Sequence, residues 1–486
     1  MSHFAFSRET LPGTEISDEE IKAVLQDDIS RRQFSLIRKR IISDDLKPII
    51  DQDLSVMFDL ETYEDMRYYI DTSNNLMRRI TKELSDVYRE EHQRTITPKA
   101  SEKRYGDITG GDEGMFSINQ RLNRANFLLN GLNDLVFQIH VFGDHIDLGI
   151  LTPDQITVFE NPDNPSVIDA IAIEDSFRDV DGAIKRQWVF WSPTRHFIID
   201  ENYRKVSVPG NEEMISPYRD LNIQNESFFP FVPAHSADRD GCFFDENTGS
   251  DLIEATKLIC IQNTFLNFMF PMQFKQISVQ ANSTDDGTSF KNNQVRSPLH
   301  ILQTNGDMKV LDWQSDITKL NDNIERKLYQ VAGNYGISAE NFKLMANAQS
   351  GFARMIAKER LLEIRQDQIK IWRKVEANLF KAITAANNFY QVGPKISETS
   401  KFSIDYTEKH AISDPKEELE ITQKEIDMGI TSLVAVVKQR NPDLKTDKQA
   451  EEFIQKNIDT KNRLKSRFGL GDISFDDEQN QTLDAA

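Results

Sequence analysis

Three long stretches between residues 248 and 390 place apolar residues at helical spacing. The first runs from Asp251 to Phe270 and is almost uncharged. Spacings of 3, 4 and 3 along it predict an apolar helix face, made of Leu258, Ile261, Phe265 and Phe268. Other apolar residues, seven apart, give the helix a second apolar face. Pro271 is expected to end it.

The other two stretches carry more charge. The second, from about Asp316 to Val331, sets an apolar face against three cations, Lys319, Arg326 and Lys327. Gly333 and Gly336 are expected to end it. The third begins at Gly351 and continues without Pro or Gly until Gly393. Its first 31 residues hold eight Lys or Arg against four Asp or Glu, and it has one packing stripe: Trp372, Val375, Leu379 and Ile383.

Two of these helices allow a plain and a functional interpretation. The first helix is either an ordinary core helix or a helix that packs between subunits, since one chain supplies few neighbours for two apolar faces. The basic third helix is either a solvated surface with pairs of opposite charge or a contact for an acidic neighbour or a nucleic-acid backbone.

The chain before the first long helix changes from helix to strand patterns. Residues 1–120 are predicted to be mainly helical, with a capping box at Ser17 and Glu20. Tyr105–Gly114 is glycine-rich and is predicted to be a loop. Beyond residue 132, turn residues separate short apolar runs that predict an antiparallel sheet: Val136–Val141, Ile156–Phe159, Val167–Ile173, Gln187–Trp191 and His196–Ile199.

A second capping box is predicted at Thr248, where the first long helix opens. Residues 272–315, between the first two long helices, show strand patterns around a polar loop. After the third helix the sequence predicts a strand and then three helices: Lys401–Asp405, Lys416–Met428, Leu433–Arg440 and Asp447–Ser466. The acidic, polar end, Gly471–Ala486, is predicted to be disordered.

Composition sets bounds on the class of protein. The 486 residues are enough for several domains, and the net charge of −20 disfavours a surface that wraps nucleic acid tightly. Only two cysteines are present, Cys242 and Cys260, without a zinc spacing, so neither a disulfide framework nor a zinc site is expected. No stretch has the roughly 20 apolar residues of a membrane span, and the start does not have the pattern of a signal peptide.

The sequence contains none of the catalytic motifs sought, namely the P-loop, the nucleophile elbow and the HExxH zinc motif. Asp238 and Asp240 resemble the start of a calcium loop but lack its later ligands. His140 and His145, with Asp144 and Asp147, could bind a metal or simply flank a turn. We therefore expect no enzymatic activity, metal or cofactor.

Several motifs, in this order, resemble one family. The run LTPDQITV at Leu151–Val158 is followed by an acidic proline turn, and Phe229–Pro233 is an aromatic-proline run. Ser350–Ala353 opens the long helix, and Asp427–Ile430 and Asn441–Asp443 follow later. In this order they resemble the portal proteins of tailed bacteriophages, the head-tail connectors of long-tailed phages. The resemblance covers about residues 132–467.

The resemblance implies an α+β portal fold with a β-rich wing, stem, clip and crown. The wing would be residues 1–247, with its β-rich part at 132–240, and the long helix with a wing strand would be 351–410. The parts between and after them would be stem helix 1 (248–271), the small α/β clip (272–315), stem helix 2 (316–336), the tunnel loop (337–350), the helical crown (411–470) and the acidic tail (471–486).

The resemblance also implies a role without catalysis. Twelve copies would form a ring at one capsid vertex of the virion, assembled in the host cytoplasm beside the major capsid protein. Double-stranded DNA would pass through without sequence-specific contacts, driven by the terminase large subunit, and a head-tail adaptor would dock later. The tunnel loop would face DNA through Asn341, Lys343, Asn347, Gln349 and Ser350. Lys343 is its only cation, so the sequence does not predict a strongly basic constriction.

Lys319, Arg326 and Lys327 would form a basic stem face, and the apolar row from Leu258 to Phe268 would pack between subunits. The alternative function is another capsid-associated minor head protein without a DNA channel. A nuclease with a metal on Asp238, Asp240 and Asp245 is the enzymatic alternative.

Overall fold

Helices and antiparallel sheets both build this chain, so the α+β class is confirmed. The computed structural model describes residues 16–90, 92–110, 117–143, 145–161, 164–178, 184–219, 222–223, 226–227, 229–239, 241–273, 317–337, 351–406, 422–440 and 446–468. The chain divides into two units, residues Met1–Lys409 and His410–Ala486. Because residues 274–316 and 338–350 lie outside the described residues, the predicted clip and tunnel loop do so too.

The N-terminal region is mainly helical, as predicted. Ser17 accepts a hydrogen bond from the Glu20 backbone N–H at 3.2 Å and so caps the first helix. The loop predicted from Tyr105 is wrong at its start, because the buried Tyr105 and Ile108 continue a helix. The helices are α1 (Asp18–Asp27), α2 (Ile29–Ile42), α3 (Lys47–Met57), α4 (Leu60–Met66), a 3-10 turn (Arg67–Tyr69), α5 (Leu76–Leu84), α6 (Lys99–Ile108) and α7 (Ile118–Leu132).

The strands form several antiparallel sheets rather than the single sheet that the sequence predicts. One sheet has the order β11-β2-β3 and another runs β4-β5-β6-β7-β8, while β1 pairs with β12 and β9 with β10. The strands are β1 (Gln93–Thr97), β2 (Asp134–Val141), β3 (Ile146–Leu151), β4 (Ile156–Asn161), β5 (Asn164–Arg178), β6 (Ile184–Trp191), β7 (His196–Ile199), β8 (Lys205–Val206), β9 (Asn222–Ile223), β10 (Glu226–Ser227), β11 (Phe231–His235) and β12 (Lys401–Asp405). Pro233 is tolerated because β11 is an edge strand.

The three long helices are present as α8 (Ser250–Gln273), α9 (Ile317–Asn334) and α10 (Gly351–Tyr390). The prediction that Pro271 ends the first of them is wrong, since α8 continues to Gln273. A proline removes only one backbone hydrogen bond, and very little helix follows it here. Gly333 lies within α9, and Gly336, with φ +66°, follows its end.

The stripe predicted on α10 packs into the main core. Trp372, Val375, Leu379 and Ile383 are all buried. The indole ring of Trp372 lies 5.0 Å from the ring of Tyr88, and its N–H donates to Asn126 Oδ1 at 3.0 Å. The second half of α10 is therefore fixed against α7 and the segment that follows α5.

The second unit is helical in its described residues. It contains a helical turn at residues 422–427, α11 (Leu433–Arg440) and α12 (Asp447–Phe468). Lys438 and Asp447 form an ion pair at 2.7 Å between the two helices. The start of the helix predicted at Lys416–Met428 and the predicted disordered tail lie outside the described residues. Among the helices described in both units, none is long and apolar enough to span a membrane.

Candidate stem base and interaction surfaces

The helix α8 begins in a loop that is tied to α2 and to the start of β2. Gly249 has φ +85°, a backbone conformation that favours glycine, and a Cβ there would lie 2.8 Å from Arg38 Nη2. Arg38 Nη2 donates to the Thr248 carbonyl at 2.7 Å, and Asn133 Nδ2 donates to the same carbonyl at 2.8 Å. The capping box predicted at Thr248 is wrong, because the helix starts at Ser250 and Thr248 lies too early to cap it.

A buried carboxylate organises this loop. Asp134 is 1% exposed and accepts hydrogen bonds from Arg239 Nε at 3.1 Å, His235 Nδ1 at 2.8 Å and the Asp245 backbone N–H at 2.8 Å. Burial acts to raise the pKa of Asp245, but hydrogen bonds from Thr248 and Asn247 and the charge of Arg239 outweigh it and lower that pKa. The loop before α8 is therefore cross-linked by charge-assisted hydrogen bonds. We call Asp134, Arg239 and Asp245 the stem-base cluster.

The start of α8 and the end of α9 meet. Tyr335 donates its hydroxyl to Asp251 Oδ1 at 2.7 Å. The end of α9 is a Schellman motif, in which the Ile337 N–H bonds the Ala332 carbonyl at 2.9 Å and the Gly336 N–H bonds the Gly333 carbonyl at 3.0 Å. Because the first turn of α8 meets the last residues of α9, the two helices form an antiparallel pair.

Polar side chains of α8 bind the backbone of the segment around the N-terminus of α5. The buried hydroxyls of Thr256 and Thr264 accept the backbone N–H groups of Met77, at 3.0 Å, and Asp71, at 3.1 Å. Each threonine also donates to the carbonyl four residues earlier in α8. The sequence does not predict these contacts of Thr256 and Thr264, because only their position within an apolar helix marks the two residues as buried.

The predicted subunit-packing row has neighbours within its own chain. Ile261 is buried, Phe265 packs at 5.3 Å from the ring of Phe58, and Phe268 lies 5.7 Å from the ring of Tyr69. Leu258 is 41% exposed. These contacts show that one apolar face of α8 is covered largely by residues of the same chain. Packing of this face between subunits stays a prediction.

The three cations of the predicted basic stem face lie on α9, whose buried residues include Ile324 and Leu328. Lys319 and Arg326 are exposed and Lys327 is half-buried. The five predicted tunnel-loop residues fall outside the described part of the chain: Asn341, Lys343, Asn347, Gln349 and Ser350.

Helix α10 is anchored by a buried ion pair that the sequence analysis did not predict. Arg94 of β1 donates to Glu376 through Nε at 2.7 Å and through Nη2 at 3.1 Å, and Glu376 is 1% exposed. The Tyr88 hydroxyl donates to the same carboxylate at 2.7 Å, and the Tyr406 hydroxyl lies 3.5 Å from it. Burial, together with the charge of Glu376, raises the pKa of Tyr88 well above its usual value.

Helix α10 also has an exposed basic surface. Beyond residue 364 its exposed cations are Lys370, Arg373, Lys374 and Lys381. Between residues 364 and 390 the helix has two carboxylates, of which Asp367 pairs with Lys370 at 2.7 Å and Glu376 is buried. We call these four cations the α10 basic row.

The residues considered for a metal site have other partners. Asp147 pairs with Arg121 at 2.8 Å, and the ring of His145 stacks on Phe142 at 5.1 Å. Asp245 belongs to the stem-base cluster, while Asp144 and Asp240 lie outside the described residues. Within the described part of the chain, no three His, Cys, Asp or Glu side chains converge as metal ligands.

The lowered pKa values of three histidines predict that the stability of the protein depends on pH. Burial lowers the pKa of His92, His140 and His196 below the ordinary value of about 6.5. Below that value the unfolded chain binds more protons than the native one, so stability falls as the pH falls. Urea denaturation is expected to show lower stability at pH 5 than at pH 7.

Single replacements distinguish the contribution of the histidines to this loss of stability from that of the carboxylates, which titrate mainly near pH 4 and below. His92→Gln, His140→Gln and His196→Gln should each reduce the loss of stability between pH 7 and pH 5. A loss that is unchanged in all three variants would contradict the prediction.

Comparison with known proteins finds similar solved structures but no family. No protein-family model matches the chain, and no curated protein matches it. A chain in the neck of an empty gene transfer agent particle, computed with C6 symmetry, aligns over 79% of this chain and 93% of its own, with 9% identity and a TM-score of 0.36. A chain in the virion of a native gene transfer agent particle aligns over 76% and 89%, with 9% identity and a TM-score of 0.34.

Proposed function

We propose that this chain is a portal protein, which forms a ring at one capsid vertex and gives DNA a channel for packaging and ejection. The observation that carries the proposal is the antiparallel pair of α8 and α9, joined at its base by Asp251 and Tyr335. At 1.5 Å per residue the 24 residues of α8 extend about 36 Å. In this proposal the pair is the stem, and residues 274–316, which lie between α8 and α9 in the sequence, are the clip.

The surrounding contacts support a structural role. The stem-base cluster and the buried Arg94–Glu376 pair fix α8 and α10 to the sheets and helices of the same unit. Such cross-links suit a part that transmits load from a capsid to a tail. We assign the chain no catalysis: it would position DNA, the terminase large subunit and then the head-tail adaptor.

The net charge suits a channel through which DNA slides. A subunit charge of −20, repeated around a ring, repels the phosphate backbone, and repulsion prevents DNA from adhering. The resemblance implies twelve copies, with the clip as the docking site for terminase and adaptor.

Electron microscopy of the purified full-length protein tests the proposal. Negatively stained particles are expected to be uniform rings with a central hole, and native mass spectrometry should give an integer multiple of the 56.0 kDa subunit. A stable monomer at micromolar concentration would contradict a portal. Metal-dependent DNA cleavage that Asp240→Ala abolishes would instead identify a nuclease.

A further inference from the structure

An apolar surface protrudes at the corner where α3 meets α4. Tyr68 is 83% exposed, Val56 81%, Leu60 75% and Met57 59%. Tyr68, Val56 and Leu60 are the three most exposed large hydrophobic side chains in the described part of the chain. The four residues lie within 13 positions of one another, and exposed apolar patches, unlike single exposed apolar residues, mark interaction sites. We call these four residues the corner patch.

The corner beneath the patch is rigid. Leu54 of α3 and Met66 of α4 are fully buried, and the ring of Phe58 packs against Phe265 of α8. Asp53 of α3 pairs with Lys257 of α8 at 2.8 Å. The patch is thus held in a fixed place on α8, and a partner would meet a preformed surface.

The residues around the patch are acidic. Asp59, Glu61, Glu64 and Asp65 lie within residues 58–69, where Arg67 is the single cation. Arg67 is paired with Glu64 at 3.1 Å. A protein surface that covers the patch must therefore bring positive charge, because like charges across an interface are repelled.

Helix α10 of the same chain carries exposed positive charge. The α10 basic row is exposed, while Glu376 beside it is buried and already neutralised by Arg94. The helix ends in two half-exposed aromatic residues, Phe389 at 42% and Tyr390 at 39%. An acidic apolar surface and a basic surface on one chain can join successive copies head to tail, and such a heterologous contact builds a ring where the rotation between copies closes.

We propose that the corner patch of one copy docks on the α10 basic row of the next copy. This contact rests on the proposed ring and names the surfaces that build it. The apolar residues Val56, Leu60 and Tyr68 supply the buried core of the contact, and Glu61 and Asp65 face Lys374 and Lys381 at its rim.

Photo-crosslinking in the full-length protein identifies the occupant. With p-benzoylphenylalanine in place of Leu60, irradiation is expected to join two copies, and peptide mapping should place the bond in α10 of the partner. A bond to another part of the second copy, or only intramolecular bonds, would overturn the proposal.

Assembly measured by analytical ultracentrifugation gives the second test. The variant Val56→Asp/Leu60→Asp should raise the concentration for half-assembly at least about tenfold, while circular dichroism stays unchanged because both side chains are exposed. Val206→Asp is the matched control, since Val206 is 44% exposed on β8 and outside the patch. Rings that persist in the double variant would overturn the contact and leave the portal proposal standing.

Charge reversal tests the pairing of the two surfaces. Glu61→Lys/Asp65→Lys and Lys374→Glu/Lys381→Glu should each weaken assembly, and their combination should restore it. Failure of the combination to recover would overturn the assignment to the α10 basic row. A wild-type protein that forms no ring would overturn the portal proposal itself, and this contact with it.

Discussion

Replacing Glu376 with alanine is expected to lower the free energy of unfolding of the first unit by about 3–5 kcal/mol. The substitution leaves the Arg94 guanidinium, whose side chain is 11% exposed, without its carboxylate. It also removes the acceptor of the Tyr88 hydroxyl. An uncompensated buried charge costs much more than the pair itself contributes, so the loss should exceed that of an ordinary ion pair.

Urea denaturation followed by tryptophan fluorescence measures this loss. Glu363→Ala is the matched control, because Glu363 is also on α10 and also paired with an arginine, Arg360, at 2.7 Å. Both side chains of that pair are more than half exposed, so its removal should cost less than about 1 kcal/mol. Equal losses in Glu376→Ala and Glu363→Ala would show that the buried pair does not anchor α10.

Elements with a strong local period could be predicted from the sequence. The strands His196–Ile199 and Lys401–Asp405 and the helix Leu433–Arg440 lie at the predicted residues. The long α10 is also confirmed, since its 40 residues contain no Pro or Gly after Gly351 and so no local reason to stop. In each of these segments the predicted and the observed element agree because residues close together in the sequence determine the structure.

Features that depend on distant residues were missed. Strand β1 has polar or threonine side chains at four of its five positions, and it is a strand because it pairs with β12, some 300 residues later. Arg94 and Glu376 are 282 positions apart. No local period marks either partner, so the ion pair could only be found once β1, α10 and β12 were placed together.

In the α8–α9 pair, too, features set by neighbouring residues could be predicted and features set by distant residues could not. The apolar row of α8 was predicted, but its partners Phe58 and Tyr69 were not. The end of α8 was predicted two residues too early: Pro271 costs the helix one backbone hydrogen bond and disturbs the preceding turn, yet α8 continues to Gln273. The loop before α8 looked like a simple capping box, whereas Arg38 and Asn133 from elsewhere in the chain fix its shape.

Replacing Asp134 with alanine is expected to have an effect of similar size, a loss of about 3–5 kcal/mol in the free energy of unfolding of the first unit. Arg239, whose side chain is 5% exposed, would keep only Asp245, at 3.4 Å, and the Asn133 carbonyl, at 3.1 Å. The Asp245 backbone N–H and His235 Nδ1 would also lose their acceptor. Since this carboxylate holds the loop that leads into α8, the substitution should release the start of that helix.

Hydrogen exchange can localise this effect, because release of the loop should speed exchange at the backbone amides of residues 245–253 more than in β5 and β6. Asp238→Ala is the matched control: Asp238 is exposed and precedes Arg239 in the same loop, so stability and exchange should stay near those of the wild type. If Asp134→Ala leaves exchange at the start of α8 unchanged, the stem-base cluster does not hold the helix, and the anchorage would then rest on the Arg38 and Asn133 bonds to the Thr248 carbonyl.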